Sequence, residues 1–180
     1  MLSYLLVSYY AERASSRRAA QQALMVTALG GLSMLMGIIL LGRQTGAWTF
    51  SDIAAYQHFA QTPFVTVAIV LILAGALTKS AIAPAHFWLP GAMAAPTPVS
   101  AYLHSAAMVK AGIYLVARLA PSMYEVATWH VVVISLGVFT MLLGGWMALK
   151  QRDLKLILAY GTVSQLGFIT SITVSYTHLT

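Results

Sequence analysis

The sequence predicts an all-α fold, a polytopic transmembrane helix bundle in which one helix is discontinuous. Hydrophobic residues make up 59% of the chain, charged residues only 8%, and the mean hydropathy is +0.80. Soluble domains, by contrast, carry about 25% charged residues. Apolar runs of span length alternate with small basic groups, which is the pattern of membrane spans and their flanking loops. One apolar run contains a single charged residue, Lys79, and is interrupted by proline after it.

The predicted spans follow in order along the chain. Residues 1–10 are apolar but too short to cross a bilayer, which takes about 20 residues, so we interpret them as the end of a span and the chain as a fragment. Spans are predicted at about 20–41, 97–119, 129–149 and 154–174, with a broken helix at about 62–95, as one partial transmembrane domain over residues 1–174. Residues 175–180 depart from the apolar pattern and are predicted to be a non-native tail.

The break is predicted from helix length and from proline. A continuous helix over residues 62–95 would be about 50 Å long, more than the bilayer core requires. We therefore expect a half helix that ends near Lys79, an unwound stretch to Pro84 and a second break at Pro90. The prolines expected to shape this region are Pro84, Pro90, Pro96 and Pro98. Irregular backbone at membrane depth is tolerated only where it faces protein or water.

Two lysines, Lys79 and Lys110, are predicted to lie within the membrane. An ammonium group costs at least about 2.5 kcal/mol at the bilayer centre, so this placement indicates an ion or proton pathway. All four acidic residues lie in predicted loops or at span ends, so no buried carboxylate of this chain is expected beside either lysine. Desolvation disfavours the charged form of an amine, and such a lysine can exchange protons. The alternative is a lysine that extends its amine to the membrane surface.

His104 and His86 are the candidate histidines of the same pathway, because imidazole both donates and accepts protons near neutral pH. His104 precedes Lys110 by six residues, about 9 Å along a helix and on a different face, so water would have to bridge them. The alternative for both histidines is packing against a neighbouring helix. No metal or cofactor site is predicted, since the chain has no cysteine and no histidine cluster with metal-ligand spacing.

The basic residues predict an orientation in the membrane. The groups Arg13–Arg18 and Lys150–Lys155 are separated by four predicted crossings and therefore lie on the same side. The excess of positive charge assigns that side to the cytoplasm. Nucleic acid is not an expected partner, because these residues are short groups between spans and form no continuous basic face.

Two long segments resemble a known family. The stretch T-K-S-A-I-A-P-A-H-F-W-L-P-G-A-M-A-A-P-T-P-V-S-A-Y-L-H-S-A-A-M-V-K-A-G-I-Y-L-V-A-R-L (Thr78–Leu119) is similar to the signature of antiporter-like membrane subunits, and D-L-K-L-I-L-A-Y-G-T-V-S-Q-L-G-F (Asp153–Phe168) to the next motif of that family. The family comprises subunits of Mrp-type multisubunit Na+/H+ antiporters and the proton-pumping membrane subunits of respiratory complex I. The H-F-W-L-P sequence, together with His104 and Lys110, resembles the large A subunit of the Mrp antiporter more closely than the complex I subunits.

The resemblance implies residue roles. Lys79 matches the central proton-transfer lysine of the broken helix, and His104 and Lys110 match the residues that relay protons between half-channels. The family's glutamate partner of that lysine lies on an earlier helix and is expected upstream of Met1. The second inverted repeat of the family is also missing from this sequence.

The resemblance also implies a function and partners. The expected function is a proton-translocating, non-enzymatic subunit of a monovalent cation (Na+)/H+ antiporter in the plasma membrane, assembled with other membrane subunits. The first alternative is a proton-pumping membrane subunit of an NADH:quinone oxidoreductase-type complex. The second is a structural membrane subunit without transport.

Overall fold

A computed structural model of the chain describes residues 14–46, 48–49, 52–53, 63–93, 95–101, 109–123 and 126–175. The helices are α1 (Ala14–Thr45), α2 (Pro63–Lys79), α3 (Trp88–Ala92), α4 (Thr97–Ala101), α5 (Lys110–Leu119), α6 (Ala127–Leu149) and α7 (Leu154–Ser175), with a 3₁₀ segment at Ala85–Phe87. The described part of the chain contains no strand, and the predicted all-α membrane fold is confirmed. The predictions for residues 1–13, for His104 and for residues 176–180 lie outside the described residues.

Three of the described helices, α1, α6 and α7, are long and apolar enough to cross a membrane. Helix α1 extends beyond the predicted span, 20–41, at both ends. Its uncharged stretch between Arg18 and Arg43 is about 36 Å long, close to the thickness of a bilayer core. The helix continues past this stretch because arginine side chains can carry their charge into the head-group region while the backbone stays helical.

Helices α1 and α2 pack closely through glycine. Gly30 and Gly37 are two helical turns apart and lie on the same face of α1. A Cβ atom at Gly37 would lie 2.7 Å from the Ala68 carbonyl oxygen, and one at Gly30 would overlap the side chain of Thr78. A Cβ atom at Gly75 of α2 would in turn overlap the Gly30 carbonyl oxygen. Small residues of this kind let backbones of membrane helices approach and gain dispersion contacts.

Helices α6 and α7 form a second pair of the same type. Cβ atoms at Gly137 and Gly144 of α6 would lie 3.0 Å from the Gly167 carbonyl oxygen and 2.7 Å from the Ser164 amide nitrogen. The Ser164 hydroxyl donates a hydrogen bond of 2.8 Å to the Met141 carbonyl oxygen across the interface. The bundle is thus built from two closely packed helix pairs.

The predicted discontinuous helix is confirmed between α2 and α3. Helix α2 ends at Lys79, residues 80–84 are not helical, and the chain enters α3 through the 3₁₀ segment. The Ala83–Pro84 peptide bond is cis. The prediction of a second break at Pro90 is wrong. Pro90 is the third residue of α3, in the first turn of the helix, where a backbone N–H has no intrahelical acceptor and its loss does not interrupt the helix.

The break lies between two apolar cores. Leu77 and Ile82, on either side of it, belong to a core shared by α1, α2, α5, α6 and the end of α7. Ala81 and Trp88 belong to a second core that includes Val163 of α7. Burial on both sides holds the non-helical segment in one conformation, as the membrane environment requires.

Helix α3 lies at one end of the bundle, between the start of α1 and the start of α7. A Cβ atom at Gly91 would lie 3.6 Å from the Cβ atom of Ala19, which follows Arg18 in α1. On its other side, Gly91 and Lys155 of α7 line the same groove. The start of α1 and the start of α7, each of which carries basic residues, therefore both lie beside this short helix.

Candidate functional site

Lys79 is the last residue of the half helix α2, and its side chain is half-buried. The helix closes with two bonds, from the Ala81 amide to the Thr78 carbonyl at 3.3 Å and from the Ile82 amide to the Leu77 carbonyl at 3.0 Å. Ala81 has a φ of 51° between them, so the helix ends in a Schellman motif with alanine where glycine is usual. Lys79 thus lies in the last turn of α2, where the terminal carbonyl groups carry partial negative charge.

Two side chains bond the backbone at the break. The buried indole of Trp88 donates from Nε1 to the Thr78 carbonyl oxygen at 3.0 Å. The amide of Ala83 donates to Oγ1 of Thr140 in α6 at 3.0 Å, and the Thr140 hydroxyl donates to the Leu136 carbonyl at 2.6 Å. The Ala83 amide and the Thr78 carbonyl, which lack their usual helical partners at the break, are therefore both hydrogen-bonded. Unpaired backbone groups are costly in the membrane interior.

Helix α5, which begins at Lys110, packs against this break. A Cβ atom at Gly112 would overlap the Ala76 carbonyl oxygen and Oγ of Ser80, so only glycine permits this approach. Lys110 itself is exposed on the described chain. The backbone of α5 thus contacts the turn of α2 that carries Lys79.

Two polar side-chain atoms near the break are buried. Oγ of Ser80, in a residue with no exposed surface, has no hydrogen-bond partner among the described residues, and neither has Nδ1 of His86 in the 3₁₀ segment. Buried polar groups in proteins are bonded to protein or to ordered water. These two atoms are therefore candidate contacts for internal water.

The predicted residues lie on neighbouring elements. Gly112, two residues after Lys110, contacts Ala76 and Ser80 in the turn of α2 that carries Lys79, and His86 lies in the segment between the break and α3. His104 lies outside the described residues. The described acidic residues, Asp52 and Asp153, are exposed and belong to neither α2 nor α5. Pro96 precedes α4, and Pro98 is its second residue.

Sequence reasoning missed three residues of the site. Thr140 has a weak signal in the sequence, since it is a hydroxyl residue in the middle of a mostly apolar span. Gly112 and Trp88 have none, because glycine and tryptophan are common in membrane helices and at their ends. Within the described ranges, no group of three or more His, Asp or Glu residues could hold a metal ion.

Comparison with known proteins identifies the family. Residues 1–179 match the family model described as NADH:quinone oxidoreductase/Mrp antiporter, transmembrane. The chain is 50% identical over 170 residues to the A subunit of the Na(+)/H(+) antiporter of Bacillus subtilis (strain 168), covering 94% of this chain and 21% of that protein. It is 47% identical over 171 residues to a probable A/B subunit of a K(+)/H(+) antiporter of Rhizobium meliloti (strain 1021), covering 94% and 17%.

Two solved structures are also similar to this chain. The Mrp complex from Dietzia sp. DQ12-45-1b matches with a TM-score of 0.88 and 42% identity, over 95% of this chain and 19% of that chain. The membrane-bound sulfane sulfur reductase, an archaeal respiratory membrane complex, matches with a TM-score of 0.85 and 26% identity, over 95% and 36%. The chain spans about a fifth of the length of the curated relatives described above. It belongs to the NADH:quinone oxidoreductase/Mrp antiporter transmembrane family.

Proposed function

We propose that the chain is part of the proton-translocating subunit of a multisubunit monovalent cation/proton antiporter, and that Lys79 is its central proton-transfer group. The observation that carries the proposal is the position of Lys79. Lys79 is half-buried at the end of a half helix, one residue before Ser80, whose buried hydroxyl has no hydrogen-bond partner in the part of the chain that the structure describes. The names of the relatives include both Na+ and K+, and we propose Na+ because the Bacillus subtilis relative has the higher identity.

The proposal requires water at the break. Oγ of Ser80 and Nδ1 of His86 each leave a hydrogen-bonding position open in a buried environment, and such positions are normally occupied by ordered water. Water at the break would give the Lys79 amine a proton donor or acceptor on the protein interior. His86 is proposed as a second proton-transfer group on the α3 side of the break, since its imidazole ring has a nitrogen on each side that can donate or accept a proton.

Lys110 and His104 are proposed to continue the path along the segment that leads into α5. The contact of Gly112 with Ser80 supports this, because it brings the start of α5 to the turn that carries Lys79. The exposed side chain of Lys110 would then face another part of the full-length subunit or a neighbouring subunit. An ammonium group at such an interface is expected to be shielded from lipid, because its insertion cost is high.

The partners and the location follow from the same proposal. Other membrane subunits of the antiporter complex and the lipid bilayer surround the chain, and the membrane is the plasma membrane. The end of the bundle that carries Arg17, Arg18 and the loop Lys150–Lys155 is proposed to be cytoplasmic, since positive charge accumulates on that side.

A second candidate function is supported by one observation. The similarity to a solved archaeal respiratory complex favours a redox-driven proton pump as the alternative. The same residues would then move protons, and the energy would come from electron transfer in other subunits. The higher identity to antiporter subunits favours the first candidate.

The test is proton flux through the full-length subunit in its complex, in everted membrane vesicles with an imposed proton gradient. Adding Na+ should collapse the gradient in the parent protein, and Lys79→Ala should abolish this response. Lys150→Ala removes a lysine from the exposed loop and should leave the response unchanged. Near-normal Na+-dependent flux in Lys79→Ala would contradict the role of Lys79.

The same vesicles separate the candidate functions. An antiporter responds to Na+ under an imposed gradient without any electron donor, whereas a redox-driven pump needs electron transfer to move protons. If Lys79→Met and Lys110→Met both retain full flux, the chain is a structural subunit.

A further inference from the structure

A groove of about 590 Å³ lies at one end of the bundle, between the short helix α3 and the start of α7. Pro90, Gly91 and Met93 form one wall, and Arg152 and Lys155 are on the other. This groove is separate from the break at Lys79 and has no part in the proposed proton path.

The groove carries net positive charge. Arg152 and Lys155 are exposed, and one exposed carboxylate, Asp153, offsets part of their charge. Beyond the α3 wall, Gly91 lies beside Ala19, which follows the exposed residues Arg17 and Arg18 in α1. Among the residues that line the groove, two are cationic and one is anionic, so an anionic ligand is favoured by charge.

The position of the groove relates it to the membrane surface. Helices α6 and α7 are both long and apolar enough to span the bilayer, and only residues 150–153 connect them, so this loop lies where the two spans emerge. Nζ of Lys150 in the same loop lies 4.9 Å from the ring centre of Trp146. Tryptophan with lysine is typical of the head-group level of a membrane. The groove therefore opens at the depth of phospholipid head groups.

An apolar surface continues from the groove along α7. Leu154 lines the groove and is 84% exposed, and Leu158, one turn further along the same face, is 61% exposed. A ligand with a phosphate group and a hydrocarbon chain would match both surfaces, with phosphate between Arg152 and Lys155 and the chain against the two leucines. Free phosphate would use only the first surface.

We propose that this groove binds the head group of an anionic phospholipid, with one acyl chain lying along Leu154 and Leu158. Basic pockets between membrane helices bind such head groups by charge, with about 1 kcal/mol from each lysine or arginine near the surface. The proposal is independent of the transport function, because it rests only on the groove, its charges and its exposed apolar face.

The test uses the full-length subunit in its complex, reconstituted in vesicles that contain phosphatidylglycerol or phosphatidylcholine with a photoreactive acyl chain. After illumination, the labelled peptides are identified by mass spectrometry. Phosphatidylglycerol should label the peptide with Leu154 and Leu158 more than phosphatidylcholine does. The double variant Arg152→Gln/Lys155→Gln should reduce this labelling about 25-fold, which is about fivefold for each cation removed.

Two further variants and one competitor make the test specific. Lys150→Gln removes the same charge from the same loop, outside the groove, and should keep the labelling. Arg152→Lys/Lys155→Arg retains both charges and should also keep it, which controls for folding of the loop. Inorganic phosphate added in excess should not compete. Equal labelling by the two lipids, no labelling of this peptide, full labelling in the double Gln variant or competition by phosphate would each overturn the proposal.

Discussion

Replacing Thr140 with valine tests whether a single side chain of α6 holds the broken helix in place. The Thr140 hydroxyl has no exposed surface and accepts the hydrogen bond of the Ala83 amide at 3.0 Å. Valine has nearly the same shape, so the substitution removes the acceptor without opening a cavity. The Ala83 amide, only 1% exposed as a residue, would then be buried without a partner.

The expected magnitude follows from that loss. An unsatisfied buried donor costs about 1–3 kcal/mol. At about 1.4 kcal/mol for each factor of ten, a loss near 2 kcal/mol makes local opening of the break about 30-fold more frequent. The change should be confined to the segment from the end of α2 to the 3₁₀ segment, because Thr140 packs beside Gly167 of α7 through its Cβ atom, which valine keeps.

Hydrogen exchange measured by mass spectrometry on the full-length subunit detects this opening. Amides of residues 80–88 should exchange about 30-fold faster in Thr140→Val, and at nearly the parent rate in Thr140→Ser, which keeps the hydroxyl. Thr170→Val is the matched control: Thr170 is equally buried and also donates to the carbonyl four residues earlier, at 2.7 Å, but does not bond the break. If Thr140→Val and Thr170→Val exchange alike over residues 80–88, Thr140 does not hold the break.

Two further predictions concern stability, measured as the unfolding temperature of the complex in detergent. Gly112→Ala should lower it, since the added methyl group meets the Ala76 carbonyl oxygen and Oγ of Ser80. Gly161→Ala should leave it unchanged or raise it, because no atom of the described chain lies within 4 Å of the new methyl group. Ala81→Gly should raise it by the equivalent of about 1 kcal/mol, because alanine at a φ of 51° is strained and glycine is not. A lower unfolding temperature in Ala81→Gly, or no loss in Gly112→Ala, would contradict the geometry of the break.

The break itself could be predicted from the sequence because it depends on local chemistry. An apolar run too long for one crossing, a lysine and Pro84 together indicate a discontinuous helix, and α2 does end at Lys79. The error at Pro90 has a local cause as well. Proline interrupts a helix in its interior but not in its first turn, and the sequence does not indicate that a new helix begins at Trp88.

The partners of the break could not be predicted, because they come from distant parts of the chain. The bond between Ala83 and Thr140 joins residues 57 positions apart. The contact of Gly112 with Ser80 depends on how α5 packs against α2, which no spacing in the sequence specifies. The roles of Lys79, His86, His104 and Lys110 in proton transfer remain predictions that the flux experiments test.

The glycine contacts between helices also determine where this sequence can vary during evolution. Gly30, Gly75 and Gly167 have atoms of a neighbouring helix so close that even alanine would force the helices apart. Gly31 and Gly161 have no atom of the described residues within 4 Å of that position. Relatives with this packing should therefore keep glycine at the first three positions and accept other residues at the last two. A single sequence does not distinguish these two groups of glycines.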